Sequence, residues 1–90
     1  MPTSTVSNMR IQLKTVCPEI LGNIPSRWYE IEDMLSAEEA LLACLRDCGT
    51  DVEAHVIRKL VFMRNGKHIS HETLIQDGDV LMALRPVYGG

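Results

Sequence analysis

The 90-residue sequence contains no long apolar stretch and no excess of basic residues, and each absence argues against a class of protein. No run of about 18 apolar residues occurs, so we expect no membrane-spanning helix. The net charge is −3, whereas nucleic-acid-binding domains present a basic face, so we expect no nucleic acid partner. The first residues lack the basic start and apolar run of a signal peptide. We therefore expect a cytoplasmic protein.

Cysteine is scarce: the sequence has three, an odd number, at Cys17, Cys44 and Cys48. Secreted disulfide frameworks generally have an even number, so these residues favour the cytoplasm. Cys44 and Cys48 are one helical turn apart, but the sequence has no C-x-x-C pair, and cysteines on an apolar stripe are usually core residues. We therefore expect no metal site. The sequence also has no G-x-S-x-G motif and no phosphate-binding loop.

The composition is that of one small globular domain, with 46% hydrophobic and 23% charged residues. We divide the chain into a flexible arm at 1–8, a domain at 9–86 and a flexible tail at 87–90. Alternating or β-rich apolar runs predict strands, and Asn65-Gly66 predicts a type I′ hairpin turn. The strands are predicted at 9–17, 28–31, 59–64, 67–70 and 80–85.

One clear helix is predicted at 36–49. Ser36 and Glu39 form a capping-box pattern at its start, and Gly49 is a suitable end. Residues 50–58 remain ambiguous, with a short extra helical turn as one possibility. The element order is therefore two strands, a helix and three strands, in which the first and last strands become neighbours in the middle of one sheet.

Several side chains receive a simple structural interpretation. We expect the Trp28-Tyr29 pair and the Leu74-Ile75 pair to lie in the core. His68 and His71 are interpreted as surface residues. Cys17 is interpreted as a packed thiol, and the acidic residues at 30, 32 and 33 as a solvated patch.

The final strand is apolar on both faces. Leu81 and Ala83 share one face, whereas Val80, Met82 and Leu84 share the other. A sheet covered by one helix cannot bury both, so the strand is expected at the centre, with its open face covered by a partner or by a loop.

The sequence ends in two glycines, Gly89 and Gly90, after a proline that terminates the last strand. Glycine lacks Cβ and fits where other residues would clash, so this tail could carry the terminal carboxylate into a narrow space. A frayed terminus or a cloning remnant is the alternative.

The stretch from 74 to 90 contains Asp77-Gly78-Asp79, an apolar strand and Pro86-Val87-Tyr88-Gly89-Gly90. With the element order, it resembles the ubiquitin-like β-grasp sulfur carriers, and most of all the small subunit of molybdopterin synthase. The resemblance implies an α+β fold, with a mixed sheet of four to five strands and one main helix on one face. The last strand lacks the aromatic pair often seen in that family, so the identity of the partner subunit stays open.

The resemblance also implies the chemistry. A ubiquitin-activating-type enzyme would use Mg-ATP to adenylate the Gly90 carboxylate, and a persulfide would displace AMP to leave a thiocarboxylate. The tail would then enter the large catalytic subunit of a molybdopterin synthase. The chain itself would be a non-catalytic cosubstrate that binds no cofactor. The residues implied for threading are Val87, Tyr88 and Gly89, and those for partner binding are Val16, Met82, Leu84, Arg85 and Pro86.

Three alternatives remain open. The sulfur acceptor could be thiamine or another metabolite instead of molybdopterin. The Gly90 carboxyl could instead form isopeptide bonds to target lysines, as in a protein modifier. The domain could also be an interaction module whose tail is never activated.

Overall fold

The computed structural model describes residues 8–15, 21–22 and 24–86. These residues form five strands and two helices. In chain order, they are β1 (Asn8–Thr15), β2 (Trp28–Glu32), α1 (Ala37–Asp47), α2 (Ala54–Arg58), β3 (Val61–Arg64), β4 (Lys67–Ile69) and β5 (Val80–Leu84).

The five strands form one mixed sheet in the order β2-β1-β5-β3-β4. β1 and β5 are parallel, whereas the other neighbouring pairs are antiparallel. The first and last strands are therefore neighbours at the centre, as the sequence predicts. The α+β class and the mixed sheet with one main helix on it are confirmed.

The main helix, α1, begins with the predicted capping box. The Ser36 hydroxyl accepts the Glu39 backbone N–H at 3.2 Å, and the Glu39 carboxylate accepts the Ser36 backbone N–H at 3.0 Å. These bonds satisfy two backbone donors that a helix start leaves without partners. Gly49 follows the helix with a φ of +73°, a left-handed conformation that favours glycine.

The core lies between α1 and one face of the sheet. The helix contributes a stripe of buried side chains at Ala37, Ala40, Leu41, Cys44 and Leu45. The sheet contributes alternate residues, which on β5 are Leu81 and Ala83. This alternation follows from the two-residue period of a strand and places Val80, Met82 and Leu84 on the other face, where they are partly exposed.

The β3–β4 connection is the predicted tight hairpin. Asn65 has a φ of +52° and Gly66 a φ of +84°. A type I′ turn requires positive φ at both central residues, and Asn followed by Gly is the pair that tolerates it best.

Two core assignments are wrong. Trp28 is 46% exposed and Leu74 is 52% exposed, although their neighbours Tyr29 and Ile75 are buried. Trp28 is paired with Gln12, on the open face of the sheet. Adjacent residues of a strand point to opposite faces, so only one member of the Trp28-Tyr29 pair can enter the core. Leu74 and Ile75 lie outside the strands, in the segment that precedes β5, and there only Ile75 is buried.

His71 is also less exposed than expected. Its Nε2 lies 2.6 Å from the Leu60 carbonyl oxygen, and its ring meets the Phe62 ring edge-on at 4.7 Å. His68 lies on the surface, as predicted. The ambiguous segment 50–58 contains the short helix α2, which buries Ile57. In the described ranges, no helix is long and apolar enough to cross a membrane.

Candidate functional site

The C-terminal end of the central strand is the candidate site. β5 ends at Leu84, and Arg85 and Pro86 are the last residues described. Arg85 is exposed and Pro86 is half-buried. Five predicted site residues lie outside the described part of the chain: Val16, Val87, Tyr88, Gly89 and Gly90.

The structure brings the predicted docking residues Met82 and Leu84 into a larger apolar surface. On the open face of the sheet, Met82 pairs with Met63 of β3, and Leu84 pairs with Val61. We name this surface the open-face patch; it consists of Val61, Met63, Val80, Met82 and Leu84. All five side chains are partly exposed. Partly exposed apolar side chains that are contiguous on one face are typical of protein interaction sites.

Basic side chains flank the open-face patch. Lys14 of β1 is exposed and lies beside Met82 in the parallel pairing. Arg10 is exposed on the same face of β1, and its guanidinium lies 5.9 Å from the centre of the Trp28 ring. Lys14 therefore favours a carboxylate on a partner surface, whereas Arg10 lies directly opposite Glu30 in the β1–β2 pairing.

The other end of β5 is held by the Asp77-Gly78-Asp79 turn. The Asp77 carboxylate accepts the Arg10 backbone N–H at 2.8 Å, and the Gly78 N–H donates to the Arg10 carbonyl at 2.8 Å. The buried Asp79 carboxylate accepts the Gln76 backbone N–H at 2.8 Å. The two bonds to Arg10 fasten the turn before β5 to β1, and the Asp79 bond closes the turn itself, so together they position the strand that leads to the C-terminus.

The cysteines on α1 are structural. Cys44 is fully buried, and burial raises the pKa of its thiol to about 12. A thiol with this pKa is almost entirely protonated at neutral pH and is therefore a poor nucleophile. Cys48 is partly exposed, and its Sγ lies 3.2 Å from the Tyr29 hydroxyl. In the described residues, no group of three or more His, Cys, Asp or Glu side chains is placed to hold a metal ion.

The family comparison decides the class of this chain. The model of the ThiS family matches residues 3–90. The chain belongs to the ThiS family of ubiquitin-like sulfur carriers. Small carriers of this type are generally non-catalytic and interact with adenylating enzymes of the ubiquitin-activating type. A search of curated proteins found no match.

Solved structures with the same fold as this ThiS-family chain include the following three. The HVO 2177 protein of Haloferax volcanii has a TM-score of 0.66 and 16% identity, over 100% of this chain and 94% of that one. A crystal structure of small archaeal modifier protein 1 from H. volcanii has a TM-score of 0.58 and 19% identity, over 88% and 99% of the two chains. A structure of SAMP1 from Haloferax volcanii has a TM-score of 0.51 and 21% identity, over 93% and 100%.

Sequence reasoning missed part of the site. It named Met82 and Leu84 but not Val61 and Met63, which complete the open-face patch from β3. The apolar run on β3 is visible in the sequence, but the pairing register that places these residues beside β5 is a tertiary property.

Proposed function

We propose that this ThiS-family protein is a cytoplasmic sulfur carrier that donates sulfur in molybdopterin biosynthesis through a thiocarboxylate at Gly90. The observation that carries the proposal is the central position of β5, the strand that leads into Pro86 and the di-glycine end of the sequence. A central strand is hydrogen-bonded on both sides, so it is a rigid base from which a terminal group can be presented.

The proposed chemistry begins with a carboxylate, which is a poor electrophile. An oxygen of the Gly90 carboxylate attacks the α-phosphorus of Mg-ATP on the adenylating enzyme, and pyrophosphate leaves. The terminal sulfur of a persulfide then attacks the acyl carbon, and AMP leaves. A thiol cleaves the resulting sulfur–sulfur bond, so that the thiocarboxylate remains on Gly90 and a disulfide forms on the donor side. In this scheme the chain binds no cofactor, because Mg-ATP belongs to the enzyme.

The open-face patch supplies the docking surface in this proposal. Met82 and Leu84 contact the adenylating enzyme and later the large catalytic subunit of molybdopterin synthase type, while Arg85 and Pro86 lie between that contact and the tail. Lys14 favours a carboxylate on the partner. Val87, Tyr88 and Gly89 then thread into the partner's active site, where a side chain on Gly89 would obstruct the passage.

Intact mass spectrometry tests the chemistry. The protein is incubated with an adenylating enzyme, Mg-ATP and a persulfide donor, and we expect a mass gain that corresponds to one oxygen replaced by one sulfur. Deletion of Gly90 abolishes the gain and leaves the unfolding curve unchanged. Replacement Gly89→Val reduces sulfur transfer to the acceptor. Absence of any mass gain with the intact chain would reject the carrier function.

A matched pair of variants tests the docking surface. Met82→Lys places a charge in the open-face patch, and Leu74→Lys makes the same change at an exposed apolar residue outside it. We expect Met82→Lys to raise the KM for the carrier in the adenylation reaction by about tenfold or more, equivalent to about 1.4 kcal/mol, because docking would bury an unpaired charge. Leu74→Lys leaves the KM unchanged. Equal effects of both variants would contradict the assignment of the patch.

The acceptor is tested separately from the carrier chemistry. Thiocarboxylated protein is supplied to molybdopterin synthase large subunit with a pterin precursor, and to a thiamine-forming system, and the sulfur-containing product is measured in each. Product with the pterin precursor supports the proposal. If product forms only in the thiamine system, the chain is still a sulfur carrier, but its acceptor is not molybdopterin.

A protein-modifier function is the second candidate. A structural neighbour at 19% identity is named a small archaeal modifier protein, and the same adenylated Gly90 could react with a lysine amine. Incubation with lysate and ATP then distinguishes the two functions. High-mass conjugates that disappear on deletion of Gly90 favour the modifier, and a mass change confined to the carrier itself favours sulfur transfer.

A further inference from the structure

The edge strand β2 has outward backbone groups with no strand beside them in the described residues. β2 lies at one end of the sheet and pairs there with β1 alone. The Leu13 N–H donates to the Arg27 carbonyl at 3.3 Å, so the backbone groups of Arg27 point toward β1. Because bonding alternates along an antiparallel pair, the N–H and C=O groups of Glu30 and Glu32 point outward. Such an edge can accept an additional strand.

A groove of about 560 Å³ runs along this edge, between β2 and α1. Leu42 and Ala43 of α1, with Leu35 just before the helix, form its apolar wall, since these three residues are only partly buried and pack against the core. Ile31 of β2 completes the apolar lining. An added strand would direct every second side chain toward this wall, because side chains alternate between the two faces of a sheet.

Two carboxylates border the groove from the open face of the sheet, which is the face away from α1. Glu30 and Glu32 are exposed on the open face of the sheet, at the outermost strand. Side chains directly opposite on adjacent strands interact, and unlike charges stabilise the pairing. Glu39 adds a third carboxylate beside the apolar wall, and Arg46 lies at the last turn of the helix. The groove therefore favours an apolar residue toward the helix and a basic residue beside each outward glutamate.

We propose that the groove between β2 and α1 binds an extended segment of a partner protein in which apolar and basic residues alternate. The segment adds to the sheet as a sixth strand and forms main-chain hydrogen bonds with Glu30 and Glu32. Its apolar side chains pack on Leu42 and Ala43, and its Lys or Arg side chains lie beside the two carboxylates. This site is separate from the open-face patch and does not depend on the chemistry of the tail.

Binding of a labelled peptide of alternating Val and Lys tests the proposal, with fluorescence anisotropy as the readout. We expect saturable binding to the full chain. A peptide with Glu in place of Lys fails because of charge, and one with a central Pro fails because it loses a main-chain donor. The variant Glu30→Lys/Glu32→Lys weakens binding of the Val-Lys peptide by about tenfold or more.

The matched control is Asp51→Lys/Glu72→Lys, which changes the net charge equally at exposed residues outside the groove. We expect this control to bind the Val-Lys peptide like the unmodified chain. Equal weakening of both double variants would mean general charge attraction and would overturn the proposal. Absence of binding to the unmodified chain would overturn it as well.

Amide hydrogen exchange provides a test that needs no variant. On addition of the Val-Lys peptide, we expect exchange at the Glu30 and Glu32 amides to slow, because their N–H groups gain acceptors. Binding without this protection would overturn strand addition. Protection of the same two amides in the absence of peptide, at concentrations where the chain dimerises, would assign the groove to a second copy and overturn the proposed partner.

Discussion

Asn65 and Asp79 join the β3–β4 turn to the start of the central strand. The Asn65 Nδ2 donates to Asp79 Oδ1 at 3.2 Å, and the Asn65 Oδ1 accepts the Val80 backbone N–H at 2.9 Å. The Arg64 guanidinium lies 3.8 Å from the same carboxylate. One asparagine thus serves as the turn residue with a φ of +52° and as a link to β5.

Replacement of Asn65 is expected to destabilise the fold through two effects that can be measured separately: loss of the side-chain hydrogen bonds and strain in the left-handed backbone. Asn65→Ala removes the side-chain bonds and places alanine in a left-handed conformation, for a loss of about 2–4 kcal/mol in the free energy of unfolding. Asn65→Gly removes only the bonds and is expected to cost about 1–2 kcal/mol. Urea unfolding measures both variants. Equal losses would mean that the left-handed conformation contributes nothing to the cost.

The raised pKa of Cys44 predicts a decrease of stability at alkaline pH. The thiol pKa is about 12 in the folded protein against a reference value of 9.0. Above pH 9 the unfolded chain loses this proton while the folded chain keeps it, so the free energy of unfolding falls as pH rises. The Cys44 contribution approaches about 1.4 kcal/mol per pH unit well above pH 9.

Comparison of the unmodified chain with Cys44→Ala isolates this effect, because alanine has no proton to lose. Urea unfolding at pH 8, 9 and 10 should give a smaller decrease for the variant, although its stability at pH 8 is lower. The contribution of the Cys44 thiol to the free energy of unfolding is fully present below pH 9 and is lost as the pH approaches 12. Parallel pH profiles for the two proteins would contradict the assigned pKa.

Met34 occupies a left-handed conformation with a φ of +64°, and its side chain is 73% exposed. An ordinary side chain is strained there, whereas asparagine tolerates the conformation better. We expect Met34→Asn to raise the free energy of unfolding by up to about 1 kcal/mol. Glu72→Asn, at an exposed turn residue without positive φ, should change it by less than about 0.5 kcal/mol. A loss of stability in Met34→Asn would indicate that the methionine side chain contributes to packing.

The capping box of α1 gives a further prediction. Ser36→Ala removes the acceptor for the Glu39 N–H and is expected to cost about 1 kcal/mol. Ser36→Asp keeps an acceptor at the same position and should retain most of the stability. Ser26→Ala, at an exposed serine outside the helix, is the control. If urea unfolding shows that Ser36→Asp is no more stable than Ser36→Ala, the side-chain oxygen does not stabilise the helix start.

Short-range patterns were sufficient to predict most elements. Ser36 and Glu39 predicted the helix start, and Asn65-Gly66 predicted the hairpin, because caps and tight turns depend on residues within a few positions of each other. The failures were two pairs of adjacent apolar residues and His71, which was interpreted as a surface residue but is partly buried. Trp28-Tyr29 and Leu74-Ile75 were both assigned to the core, although only Tyr29 and Ile75 are buried. Local composition does not reveal which member of such a pair faces the helix.

The amino-acid sequence alone determined the order of the elements, the two-faced apolar character of β5 and the di-glycine end, since these depend on local propensity and on the periods of helix and strand. Only the tertiary structure decided that Val61 and Met63 join Met82 on the open face, and that the outward edge of β2 runs beside α1. Both depend on strand register and on helix placement, which residues far apart in the chain establish together.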